Sequence, residues 1–494
     1  MRKAKRILCL IVALITVLSM VTSCTKKQTV SLEDDESKPY EIEWYFPASL
    51  GSDLKMVNEK ANEYLKEKLN VTLKLSPLDW GVYVSKTENK LNSGEKMDLA
   101  WTNINQFPNY VNQQIPVQLD ELIDKYAPET KKMLGEGFLE GVKINHKLYA
   151  IPANKEKAHG DTIVYRKDIA DKYGFDMSNV KTVEDLFPYF DILKEKEPGM
   201  ICFGANQSGS TPASVTKTGV NKYIVGAGDL VLFTDEKPDT IVTYYETEDY
   251  KNAVKNAEYM YNKGYISPDI AIKDDFNEQK ANGNVFCWKG IYHPTKLEEL
   301  NKTSEYELDH VLITDITADA NDCMGSLMYI PYTCENPIRV MKFVELFNTD
   351  PYLNNLINFG IEGVHYKKTG ENTVKTLDKM DDYDNVGNQW VFGNTMINYV
   401  LDGYDPTRYE KLEEFNNEIE YSPYYGFLFD MEEVATEVTA CKSVVSEYWK
   451  TLDFGASDAE AELSKFLDKL KKAGIDEVKA AAQKQYEEWK KNNQ

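Results

Sequence analysis

"EIEWYFPASLGSDLKMVNEKANEYLKEKLNVTLKLSPLDW" (residues 41–80) contains one complete strand-helix-strand unit. It opens on a run rich in aromatic and β-branched residues, "EIEWYFP" (41–47), the composition of a strand. Leu54, Val57, Ala61, Tyr64 and Leu65 then recur at helical spacing, and Val71, Leu73 and Leu75 alternate as in a second strand. The pattern continues outward with a helical stretch over about 82–92, the strand "MDLAW" (97–101) and the helix "LDELIDKYA" (119–127). A β-α-β-α-β order calls for a parallel sheet with helices on its faces, so the fold class is α/β.

Beyond residue 147 the same grammar resumes. Strands are expected at 148–152 and 161–165, separated by an irregular polar stretch that suggests a passage between two lobes. Helices near 183–196 and 249–263 and strands at 285–288 and 307–313 form a second α/β unit. Thr182 to Asp185 gives the first of these helices a capping-box-like start, and Pro188 puts its first turns in question. The C-terminal portion is helical, with Val434, Val438, Cys441, Val444, Val445 and Tyr448 on one face. At 494 residues and 42% hydrophobic content, the chain holds more apolar material than one ordinary core absorbs.

The N-terminus, "MRKAKRILCLIVALITVLSMVTSC", is basic and then apolar from Ile7 to Met20. Fourteen residues make a helix of roughly 21 Å, short of a hydrocarbon core of about 30 Å, so this is read as a signal peptide (1–23) and the protein as exported. "VTSC" resembles the lipobox of bacterial lipoproteins, which makes Cys24 the lipidation site. Residues 24–40 are polar and charged, as in a flexible tether. Removing four positive charges from a chain of net charge −23 leaves −27, which repels phosphate backbones and excludes nucleic acid as a partner. Of the remaining cysteines, Cys202, Cys287, Cys323, Cys334 and Cys441 are widely spaced and odd in number, the pattern of buried thiols; one bridge between Cys323 and Cys334 stays open.

Catalytic signatures are missing: no HExxH, GxSxG or phosphate-cradling loop is present, "GAGD" (226–229) reads as a turn, and no cofactor or metal is called for. "DDYDNVGNQWVFG" (381–393) has the flavour of a calcium loop in Asp382, Asp384 and Gly387. Val386 and Gly393 stand where ligands belong, leaving a solvated acidic turn.

The positive signal is aromatic. Trp80, Trp101 and Trp288 each stand where a strand is expected to end, and in open α/β sheets the ligand crevice lies outside the carboxyl ends of the strands. A pyranose ring has apolar C–H faces and a polar rim, so a sugar site needs a flat ring with amide, hydroxyl or carboxylate neighbours. Trp101 with Thr102 and Asn103, Asp79 and Trp80 with Tyr83, and Asn388 and Gln389 with Trp390 offer that combination; Trp288 and Tyr366 complete the candidate set. Trp44, Trp449 and Trp489 are assigned to packing.

The lipobox, "YAIPANKE" (149–156), "GYISPD" (264–269), "IPYTCENPIRVMKFVELFNTDPYLNNLINFGIEGVHY" (330–366), "GNQWVFGNTMINYV" (387–400), "GFLFD" (426–430) and "KKAGIDEVKAAAQKQYEEW" (471–489) together resemble the LplA-type extracellular solute-binding lipoproteins of carbohydrate ABC transporters. The resemblance implies a two-lobed, periplasmic-binding-protein-like fold of type II (Venus flytrap), with sugar held in the cleft and Trp101 lining it. It divides the chain into an N-terminal lobe (41–153 and 325–375), a C-terminal lobe (154–324 and 376–424) and a helical C-terminal region (425–494). Crossings are expected near 153–160, 314–325 and 370–385. It further implies a monomer that is no enzyme, is lipid-anchored on the outer face of a Gram-positive cell, and passes a saccharide to ABC permease subunits. A secreted glycoside hydrolase and a peptide- or pheromone-binding lipoprotein are the alternatives.

Overall fold

β1 (Tyr40–Pro47), β2 (Val71–Leu78) and β3 (Leu99–Thr102) form the parallel heart of the first lobe, with β1 central and Tyr40 opposite Val71 and Trp44 opposite Leu99. The helix Leu54–Leu69 makes the crossover and buries Val57, Ala61 and Leu65, the i, i+4, i+8 stripe visible in the sequence. Asn70 ends it in the left-handed conformation (φ 51°), which Asn tolerates better than most residues. The sheet is completed by antiparallel Leu327–Tyr329 and by Ile151–Pro152.

The structure, a computed structural model, describes residues 34–216, 223–224, 228–234, 237–383 and 385–492. The expected signal peptide, Cys24, the tether as far as residue 33, Gly226 and Ala227 of "GAGD", and Asp384 of the acidic turn lie outside the described residues.

The second lobe is a four-stranded mixed sheet in the order Leu308–Leu312, Gly160–Arg166, Val285–Tyr292, Ile201–Gly204. Its core gathers Ile163, Phe190, Phe203, Met260, Tyr265 and Phe286. Pro188 falls in the first turn of the helix Phe187–Lys196, where a proline has no hydrogen bond to lose, so it starts the helix instead of breaking it.

Three expectations about organisation are corrected. The C-terminal helices Ala435–Asp453, Ala459–Ala473 and Ile475–Asn492 share one core with the antiparallel strands Gly228–Thr234 and Lys237–Val242 and the helix Glu248–Asn262; Tyr250 donates to Asp453 at 2.9 Å. Region 425–494 is therefore built into the second lobe's flank. The segment 376–424 divides: Tyr383, Val391 and Phe392 pack in the first core, with Phe392 4.7 Å from Trp44, and only later does Arg408 bind Glu299 of the second lobe at 2.6 Å. The third crossing thus lies beyond residue 392. Residues 34–40 are held too: Arg339, 1% exposed, pairs with Asp34 at 2.8 Å.

All five described cysteines are buried and none is in a disulfide, so Cys323 and Cys334 are not bridged. No helix among the described residues is long and apolar enough to cross a membrane.

Candidate functional site

At the carboxyl end of β2, Asp79 caps the helix Trp80–Ser93 by accepting from the Gly81 N–H at 3.0 Å, which sets Trp80 on the helix's first residue at the strand end. Trp80 is 42% exposed. Trp390 stacks on it, ring centres 5.6 Å apart and 15° from parallel, and is 41% exposed. Trp101, at the end of β3, meets Trp80 edge-on at 5.3 Å and is buried. Three indoles separated by up to 310 residues thus form one cluster, two of them exposed and one buried.

Trp101 positions the others. Its Nε1–H donates to Ser326 Oγ at 2.8 Å, and Ser326 Oγ donates in turn to the carbonyl of Val391, the residue after Trp390. Tyr83 locks the strand end by donating to the Trp101 carbonyl at 2.8 Å and accepting from its N–H at 2.9 Å. Tyr83 and Trp101 are thus props rather than contact surfaces, because burial removes their faces from any ligand. Asn103 is partly exposed and accepts from the Asn105 N–H at 3.0 Å. Asn388 is partly buried. The neighbouring Gln389 Nε2 and Thr102 Oγ1 are buried without a hydrogen-bond partner.

Two candidates are not brought here. Trp288 was expected at a strand end, but its strand runs four residues further, to Tyr292. Its ring packs in a small core with Phe276, Val285, Val164 and Leu308. Tyr366 begins the strand Tyr366–Lys368 and packs on Phe359 and Tyr399.

The crossing expected near 153–160 carries the charged run "NKEKAH" (154–159), none of whose residues is among the candidate site residues. Asn154 donates from its N–H to the Gly393 carbonyl at 2.9 Å and from Nδ2 to Asn394 Oδ1 at 2.8 Å, tying two passing segments together. Lys155 pairs with Glu156 at 2.6 Å. Burial alone would raise the Glu156 carboxyl, but Lys155 and His293 hold it at about 2. His159 Nδ1 lies 2.6 Å from Asp322 Oδ1. Burial alone would lower this imidazole, but Asp322, backed by Asp319 and Asp161, raises it to about 9.

That raised value fixes a sign. Stability from the His159–Asp322 pair is fully present below about pH 6.5, the unfolded imidazole's value, and is lost as pH rises through about 9. His159→Gln should therefore cost about 2 kcal/mol in urea unfolding at pH 6 and converge on the wild type at pH 10. A constant deficit at both pH values would mean the pair contributes no charge interaction.

Beside this crossing lies a cavity of ≈1240 Å³, walled by the segments 104–113 and 140–146 of the first lobe, by His159 and by the C-terminal region. None of the sequence-predicted site residues lines it. Among the described residues, no group of three or more His, Cys, Asp or Glu is placed to hold a metal ion.

A family described as "Bacterial extracellular solute-binding protein" matches residues 59–363. The chain belongs to this family. Residues 423–491 of this solute-binding protein match a second family, described only as a domain of unknown function (DUF3502). The chain is 27% identical over 470 residues to the "Carbohydrate ABC transporter substrate-binding protein" of Streptococcus pneumoniae serotype 4, covering 93% of this chain and 92% of that one. Among solved structures it is similar to the N-glycan transport solute binding protein (NgtS) from Streptococcus pneumoniae, with a TM-score of 0.83 at 25% identity over 92% of this chain and 100% of that chain. Against NgtS in complex with Man5GlcNAc the TM-score is 0.69, at 25% identity and the same coverage. The two-lobed solute-binding fold expected from the sequence is thereby borne out.

Proposed function

We propose that this solute-binding protein captures an oligosaccharide of the N-glycan class and delivers it to the permease subunits of an ABC transporter. The observation that carries the reading is the pair of exposed indoles, Trp80 and Trp390, stacked at the carboxyl ends of the first lobe's strands. Exposed indoles suit the C–H face of a pyranose, and the partly exposed amides of Asn103, two residues after Trp101, and Asn388, two residues before Trp390, suit its hydroxyls. The glycan class rests on the likeness to NgtS.

Capture involves no covalent step. A glycan bridging two lobes gains contacts from both only when they close, so its binding shifts the population toward the closed form. The family's extracellular setting and the sequence around Cys24 support a lipid anchor on the outer face of the membrane.

Titration with Man1GlcNAc and Man5GlcNAc, followed by product analysis, tests the reading. A glycan at about 100 times its dissociation constant should stabilise the fold by about 2.7 kcal/mol and be recovered intact. Cleavage of the glycan, or no shift with either, would overturn it. In cells of the source bacterium, Cys24→Ser should be shed into the medium if the anchor is real.

A further inference from the structure

We infer that the C-terminal region forms a second saccharide subsite, which takes the remote end of an extended glycan whose inner end sits on Trp80 and Trp390. This deepens the functional reading above and rests on it.

The place is the ≈1240 Å³ cavity. It exceeds the roughly 300–1,000 Å³ of ordinary small-molecule sites, as suits an oligosaccharide rather than a single sugar. It begins close to the indole cluster: Ile104 lines it and stands three residues after Trp101, so their Cα atoms are at most about 11 Å apart. In the inferred pose, a chain of sugars lying on the exposed rings runs past Ile104 into it.

The two walls differ in the way a sugar requires. On the first-lobe side, Asn105, Asn109, Asn112 and Gln113 recur at i, i+4, i+7 and i+8 along the helix Phe107–Asn112 and its flanks, so their amides share one face. Asn109 Oδ1 accepts from Gln113 Nε2 at 3.2 Å, leaving other amide donors and acceptors for hydroxyls. On the opposite side the C-terminal region contributes the partly exposed Trp489, backed by the buried ring of Phe427 5.8 Å away. Gln485 fixes the loop that carries Phe427 by accepting from the Asp430 N–H at 2.9 Å and donating to its carbonyl at 2.8 Å.

Charge argues against an anionic occupant. His159 is paired with Asp322 and Lys143 with Glu140 at 2.5 Å, and Lys442 shares the lining with Asp430, Glu432 and Glu488, so the lining carries a negative balance. A neutral glycan arm fits this lining better than a phosphate or sulfate.

The test uses the intact exported chain with the two glycans named above. Asn112→Trp fills the cavity from an exposed helix end, and Asn109→Ala with Gln113→Ala removes amides without touching a core. Either change should weaken Man5GlcNAc about tenfold while leaving Man1GlcNAc within about twofold. In the wild type, Man5GlcNAc but not Man1GlcNAc should protect the amides of residues 425–431 from hydrogen exchange. If Man5GlcNAc binds no tighter than Man1GlcNAc and gives no such protection, the second subsite is refuted while the capture function stands. Equal weakening of both glycans would also refute it, and a wild type that binds neither would remove both readings together.

Discussion

Replacing Trp80 and Trp390 together by alanine should abolish saccharide binding while costing the unliganded protein no more than about 2 kcal/mol. Each ring is exposed, and a desolvated aromatic anchor is worth about 2 kcal/mol or more to a complex, so losing both should weaken affinity by about a thousandfold. The companion variants behave in the opposite sense. Trp101→Ala and Trp288→Ala each empty a buried indole site and should cost about 3–5 kcal/mol of stability. Calorimetric titration beside urea unfolding separates the cases. A Trp80/Trp390 variant that binds as tightly as the wild type would remove the indole pair from the site. Trp101→Ala should also loosen Trp390, because it removes the donor that holds Ser326 against the Val391 carbonyl.

Arg339→Leu should destabilise the protein by about 3–5 kcal/mol, because it leaves the buried Asp34 carboxylate with Lys342 alone as its cationic partner. The guanidinium reaches Asp34 Oδ1 at 2.8 Å and Oδ2 at 3.0 Å, and also donates to the Leu69 carbonyl at 3.0 Å. Burial alone would raise the Asp34 carboxyl, but hydrogen bonds from Arg339, Asn336 and Lys342 hold it at about 2. A depressed value means that the contribution is present above about pH 3.8 and is lost as pH falls through about 2. Asp34→Asn combined with Arg339→Leu should recover part of the loss, since no charge is then left unpaired. Equal stability of Arg339→Leu and the wild type at pH 7 would show that residues 34–40 are not fastened to the lobe by this pair.

The parts of the fold written in local periodicity were legible. Val57, Ala61 and Leu65 and then Val71, Leu73 and Leu75 are set by the helix and strand repeats alone, so the β-α-β unit emerged with its ends nearly right. Trp80 was legible as a strand-end ring because it follows the alternating run Val71, Leu73, Leu75, and the structure adds Asp79 as the cap that starts the next helix there. Whether an indole at such an end is open or covered depends on partners far along the chain. Trp101 is covered by Trp80 and bonded to Ser326, neither of which spacing can supply. Trp288 failed for a different reason: "KGIY" after it breaks the apolar run, yet those residues pair with Gly160–Ile163 and prolong the strand. The union of the C-terminal helices with residues 228–262 joins segments some 200 positions apart, and amphipathic faces announce only that a partner exists, not which one.

The sealed thiols have a consequence for the protein's life outside the cytoplasm. Cys202, Cys287, Cys323 and Cys441 have no accessible surface and Cys334 has little, and burial pushes Cys202 up to about 12 and Cys441 up to about 11. A sulfhydryl so protonated and enclosed is a poor nucleophile. Oxidation of these five thiols therefore waits on opening of the cores that enclose them rather than on the redox state of the surroundings.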